Sequence, residues 1–227
     1  MLKNKLILLT CIMFLMVPLS ASAAIINGGF ETGDFSNWIT DGSTAISTVA
    51  NLPDGSGGTE NFMPLEGGYM ASISFPAMTG FVFDNFIAQD VTLGADDIFF
   101  NFAFIFWTYD EAPFDNPGFM VEVNGKTVYS MKAGDVGDGV LGTLDTSGDW
   151  RLLSVPVSGY YDPDRPAEIR ISFNAGNTGD NEYPSGVFID SNSLTMNPLG
   201  PVVPIPASLL LFASGLLGLV GIRRKMR

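Results

Sequence analysis

Between residues 25 and 196 the chain alternates short apolar runs with clusters of Gly, Pro, Asn and Asp. That rhythm belongs to β-strands and turns, and no stretch repeats its apolar positions at helical spacing. It predicts strands at residues 25–30, 37–40, 45–50, 69–75, 86–93, 98–107, 119–123, 127–131, 150–157, 168–174 and 187–196. Asn124-Gly125, between two of these runs, supplies the paired positive φ angles of a type I′ hairpin turn. The run from Phe99 to Trp107 is apolar on both faces and should be a central strand. On it, Phe100, Phe102, Phe104 and Phe106 share one face and are expected to fill the space between sheets. The opposite face, with Asn101, Ala103, Ile105 and Trp107, is expected under a loop or along a groove. Residues 53–60 and 133–148 read as Gly- and Asp-rich loops too short to divide a domain. About ten short strands with turn punctuation predict an all-β fold, a jelly-roll-type β-sandwich over residues 24–196.

Two longer apolar stretches lie at the ends. Lys3 and Lys5 precede an apolar run from Leu6 to Val17, and Pro18-Leu19-Ser20 lead into Ala21-Ser22-Ala23. This is the order of a secretory signal, so residues 1–23 read as a signal peptide for signal peptidase. A cut after Ala23 is expected, and one a residue later fits nearly as well. Leu8-Leu9-Thr10-Cys11 makes a poor lipoprotein site, because Thr precedes the cysteine and the apolar run continues past it. At the other end residues 197–204 form a Pro-rich linker, residues 205–222 carry no charge, and residues 223–227 are a basic tail. The 18 residues of the uncharged segment, at ~1.5 Å each, span about 27 Å as a helix, enough to cross the apolar core of a bilayer. Pro206 suits its first turn, and the basic tail is expected to stay cytoplasmic with residues 24–200 outside.

Charge sharpens the picture of the middle. The chain holds 11 basic and 24 acidic residues, for a formal charge of -13. Residues 24–200 contain all 24 acids and only Lys126, Lys132, Arg151, Arg165 and Arg170, a net of -19. Nucleic acid is therefore not an expected partner, since phosphate contacts need clustered Lys and Arg. The surplus suits divalent cations and neutral ligands, and solubility alone explains it equally well. The chain has no histidine, which excludes Ser-His-Asp triads, Cys-His dyads and imidazole-bound zinc. Cys11, its one cysteine, would leave with the signal peptide, so no disulfide is expected.

The C-terminal run Val203-Pro204-Ile205-Pro206-Ala207-Ser208, a short apolar segment and the Arg223-Arg224-Lys225 cluster together resemble the PEP-CTERM class of bacterial sorting signals. The motif is similar to the VPLPA variant, with Ile205 in the Leu position. The resemblance covers about the last 25 residues and concerns sorting alone. It implies a membrane exosortase as partner, transient anchoring through the C-terminal helix, and delivery to the cell surface or exopolysaccharide matrix.

A second resemblance lies in the middle. Asn27-Gly28-Gly29-Phe30-Glu31-Thr32-Gly33-Asp34 and Val187-Phe188-Ile189-Asp190-Ser191-Asn192 resemble the opening and closing segments of carbohydrate-binding-module-like jelly rolls. In that family the first and last strands meet around a structural calcium. The resemblance implies Ca2+ held by Glu31 and Asp190, with Gly28 or Gly29 contributing backbone oxygen. The alternative is that Glu31 caps a turn and Asp190 accepts backbone hydrogen bonds. Asp135-Val136-Gly137-Asp138-Gly139, with Asp145 and Asp149, and residues 174–182 lack the alternating Asp spacing of an EF-hand and read as solvated turns. Trp38, Tyr69, Trp107, Tyr109, Trp150, Tyr160 and Tyr161 are the aromatics that could stack on sugar rings; Tyr109 with Asp110 and Tyr160-Tyr161 with Asp162 are the best placed, while Trp38 and Trp150 read rather as core.

Two functions fit. The first is non-catalytic binding of polysaccharide or surface partners by an exported protein. The second is glycan cleavage by a carboxylate pair. No tight acid/base constellation and no Glu-x-Asp-x-x-Glu spacing occurs, so binding is the expectation.

Overall fold

The computed structural model describes residues 24–75, 85–114, 118–137, 140–162, 164, 167–176 and 183–198. Residues 1–23, expected as a signal peptide, the segment 205–222, the basic tail and the expected sorting residues Val203 to Ala207 and Arg223 to Lys225 lie outside them. Among the described residues no helix is long and apolar enough to cross a membrane.

In chain order the strands are β1 (Ile39–Asp41), β2 (Thr44–Ser47), β3 (Ala50–Pro53), β4 (Thr59–Phe62), β5 (Met70–Phe75), β6 (Asn85–Leu93) and β7 (Phe99–Thr108). They continue with β8 (Phe119–Val123), β9 (Lys126–Met131), β10 (Asp145–Thr146), β11 (Arg151–Pro156), β12 (Ala167–Ala175) and β13 (Ser185–Thr195). One antiparallel sheet has the order β1-β6-β12-β8-β9. The second runs β10-β7-β13-β5-β2, with β11 following β10 along the same edge of β7. The fold is an all-β sandwich, and β5 to β8 change sheet at every step. Asn124 and Gly125 take φ of +53° and +72°, the turn expected between β8 and β9.

The even-numbered phenylalanines of β7 face the first sheet, as the alternation requires. Phe102 meets Phe173 of β12 at 5.2 Å and Phe104 meets Phe119 of β8 at 5.2 Å between ring centres. Phe100, Phe102, Phe104 and Phe106 are fully buried; each such burial contributes roughly 1.5–3 kcal/mol over exposure. The odd-numbered face is also covered. The β3–β4 hairpin lies over it, and Phe62 packs with Ile105, Trp107, Phe188 and Met70 in a second apolar cluster. Asn101 tolerates the same face because its Nδ2 donates to Thr195 Oγ1 (2.6 Å) and its Oδ1 accepts from Ser154 Oγ (2.6 Å).

Four expectations need correction. Residues 133–148 are not all loop, since Asp145–Thr146 form β10 against β7. Residues 25–30 are not a strand: Asn27 and Phe30 have φ of +54° and +57°, and the segment curls into turns. Phe30 still serves the core, packed at 5.3 Å against Trp38. Gln89 of β6 pins this segment, accepting the Ile26 N–H (2.9 Å) and donating to the carbonyls of Ile26 (2.9 Å) and Asn37 (3.1 Å). Residues 45–50 divide between β2 and β3, which belong to different sheets. Residues 53–60 are not one loop but the two strand ends and turn of the β3–β4 hairpin, closed by Asp54 Oδ1 accepting from the N–H groups of Ser56 (2.8 Å) and Gly58 (2.9 Å).

Candidate functional site

Beside Asp190 the last strand leaves its register. Its pairing with β7 shifts between Asp190 and Ser193, and Ser191 adopts φ of +53°. Such a bulge bends a strand and re-aims side chains. Asp190 is fully buried, and its carboxylate gathers three backbone donors. Oδ1 accepts from Ser191 N–H (2.6 Å), and Oδ2 from Leu65 (2.9 Å) and Glu66 (3.1 Å). Glu31 takes the rest of the same loop, accepting from the N–H groups of Gly68 (3.0 Å) and Tyr69 (3.2 Å). A β-carbon on Gly29 would lie 3.6 Å from Asp190 Oδ1 and 3.9 Å from Glu31 Oε1, so the two carboxylates flank one glycine. Burial pushes the Asp190 carboxyl pKa up; the backbone donors pull it back, and the charge of Glu31 adds to the rise.

Gly28 serves a different purpose from the one expected. Asn192 donates to its carbonyl twice, from the backbone N–H (3.0 Å) and from Nδ2 (2.6 Å). Both lone pairs of that oxygen are thereby engaged, which removes it from a ligand set. A β-carbon on Gly28 would lie 2.1 Å from Asn192 O, so only glycine allows this approach. The oxygens that a hard cation could use are elsewhere. Ser191 Oγ and Asn192 Oδ1 are buried without a hydrogen-bond partner, and both residues line the cleft with Gly29 and Glu31. With the carboxylates of Glu31 and Asp190 they make four groups that carry hard oxygens, the donor type calcium selects. Among the described residues no three acidic side chains converge, so neutral oxygens would have to complete the six to eight that calcium takes. The cleft encloses about 530 Å3.

The expected stacking residues fall outside this cleft. Trp107 is buried in the second cluster, Tyr109 donates its hydroxyl to Pro53 O (2.5 Å), and Asp110 is buried with Oδ1 accepting the Glu111 N–H (2.9 Å). Tyr160 and Tyr161 are half-buried against the main core. Trp107 and Asp110 at this burial offer nothing to a sugar ring. Trp38 is core, as expected, whereas Trp150 is only half-buried. Asp135 accepts the Lys132 N–H (3.1 Å) and so caps its own turn; residues 138–139 and 177–182 lie outside the described residues.

A second cleft, of about 580 Å3, opens on the outer side of the β7 sheet. Phe62 and Ile105 contribute apolar surface at its base, Met63 and Trp150 line it, and Glu60 and Asp149 supply carboxylates. The sequence placed Ile105 of β7 on a face expected under a loop or along a groove, but it did not bring the other residues to it, because they come from β4 and the turn before β11, far apart in the chain. The signal that could have found them is the hairpin punctuation Asp54-Gly55-Ser56-Gly57-Gly58. On the opposite sheet, the open face of β12 carries Arg170, which pairs with Asp90 through two contacts of 2.8 and 3.0 Å.

No family model and no curated protein matches the chain. Among solved structures, a family 61 carbohydrate-binding module in complex with beta-1,4-galactotriose is 21% identical, with 76% of this chain and 97% of that one covered and a TM-score of 0.32. A carbohydrate-binding module of family 27 from Caldicellulosiruptor saccharolyticus, in complex with mannohexaose, is 13% identical over 78% and 98% of the two chains, with a TM-score of 0.36. A family 28 module specific for non-crystalline cellulose is 12% identical over 76% and 95%, with a TM-score of 0.40. At these values each likeness leaves the ligand of this chain undecided.

Proposed function

We propose that this is an exported protein of the cell surface or extracellular matrix, sorted by an exosortase through its C-terminal signal, whose jelly-roll sandwich binds glycan without cleaving it. In this reading Ca2+ is structural and sits at Glu31, Asp190, Ser191 and Asn192. The observation that supports binding over hydrolysis is the condition of the carboxylates of Glu31, which lines the first cleft, and of Asp190, buried behind it. A glycosidase needs one carboxyl to give a proton and another to attack or to activate water. Asp190 and Glu31 are both committed to backbone N–H groups of the loop 65–69 and thereby hold structure. Calcium there would offset the mutual repulsion of the two charges and lock the loop.

A glycan array read with and without EDTA tests this function. Retention of a glycan, weakened on chelation, is the expected result; release of reducing ends would overturn it. For the sorting step, deletion of residues 204–227 is expected to move the protein from the cell envelope to the culture medium. A truncated chain that stays envelope-bound would remove the sorting reading.

A further inference from the structure

The second cleft has aromatic surface, from Phe62 and Trp150, that the cleft at Glu31 lacks. Phe62, 5% exposed, and Ile105, 4% exposed, belong to the apolar cluster under the β3–β4 hairpin and give the cleft a rigid base. Met63 is 68% exposed beside them. Trp150 Nε1 donates to Met63 O (3.0 Å), which ties the turn before β11 to the chain leaving β4 and fixes the indole in place. Around this apolar surface stand Glu60, Asn61, Thr146 and Asp149, all polar, and no Lys or Arg is among the described residues lining the cleft. A volume of about 580 Å3 falls within the ~300–1,000 Å3 of small-ligand clefts.

We propose that this cleft is where the glycan binds and that its ligand is a neutral polysaccharide. The proposal rests on the reading of the domain as a glycan binder and adds the site and the substrate class. A pyranose ring has an apolar C–H face and a rim of hydroxyl groups. The half-buried indole and the methionine match the face, and the carboxylates, amide and hydroxyl match the rim. Charge decides between polymers. Two carboxylates without a cation repel uronic acids and sulfated sugars, and a domain of net charge -19 reinforces that repulsion. A basic peptide would also satisfy the charge, its lysine stems lying on apolar surface, and poly-lysine is therefore an arm of the test.

The test is affinity electrophoresis of the exported protein through gels containing soluble galactan, mannan or mixed-linkage glucan, with alginate and poly-lysine as controls. Retardation by at least one neutral polymer is expected. Glu60→Gln combined with Asp149→Asn should weaken it about tenfold, as the loss of a hydrogen bond to a charged group implies. Trp150→Ala should abolish it, and Trp150→Phe should restore most of it. Arg170→Ala, on the opposite sheet, should leave it unchanged. Should Trp150→Ala fail to fold, the carboxylate pair carries the test alone. Wild-type retardation that survives every cleft substitution overturns the site while leaving glycan binding intact. Preference for alginate or poly-lysine overturns the ligand class. Absence of retardation by any polymer removes the site together with the function it rests on.

Discussion

Asp190 is a charge that its surroundings oppose, and the opposition has a sign that can be measured. Its pKa is raised in the folded state, so the protonated form stabilises the fold. That contribution is full below the ordinary aspartate range and is lost as pH rises through the raised value. In EDTA the melting temperature is expected to fall across this rise, and Asp190→Asn should flatten it. Calcium favours the ionised form and should reverse the slope; identical slopes with and without calcium would remove the cation from the account. Gly28 makes a second residue-level case. Gly28→Ala drives a β-carbon into Asn192 O and should cost about 1–3 kcal/mol or more in denaturant unfolding. At Gly125 no atom lies within 4 Å of an added β-carbon, so Gly125→Ala should cost only the left-handed backbone, about 1–2 kcal/mol.

Among the elements, β7 holds the sandwich and the loop 65–69 organises its clefts. Phe104→Ala should cost about 3–5 kcal/mol, the range for a large buried aromatic. Arg170→Ala, which removes an exposed ion pair, should cost less than about 1 kcal/mol; comparable losses in urea titrations would contradict the division between core and surface. Leu65 lines both clefts, and its N–H is held by Asp190. Asp190→Asn is therefore expected to weaken polysaccharide retention, though Asp190 does not line the second cleft. Unchanged retention in that variant would show the two clefts to be independent. The strand β7 and the β8–β9 turn were legible in the sequence because each rests on local signals, a run of phenylalanines and an Asn-Gly pair. Segment 25–30 was misread because Ile25 and Phe30 reach the core from a run of turns with left-handed backbone at Asn27 and Phe30. The β4 strand was missed because Phe62 is its one apolar residue. The meeting of Glu31 with Asp190 followed from a resemblance at the two ends of the domain. The oxygens of Ser191 and Asn192 depend on a bulge that no local pattern encodes, and the second cleft depends on the β3–β4 hairpin lying over a strand distant in the chain.

At the scale of the whole molecule, two basic, apolar ends enclose a middle of net charge -19 that has no cysteine. Cohesion of that middle falls to the aromatic core between the sheets and, in the proposed function, to a cation that neutralises part of the acid. In the proposed reading the same acid directs the ligand toward neutral glycan and away from anionic polymers. The most direct measurement incubates the purified protein with a neutral polysaccharide that retains it, following retention and new reducing ends together, with calcium and with EDTA. The account predicts retention in calcium, weaker retention in EDTA, and no reducing ends in either. Reducing ends that accumulate with time and depend on the protein would contradict it.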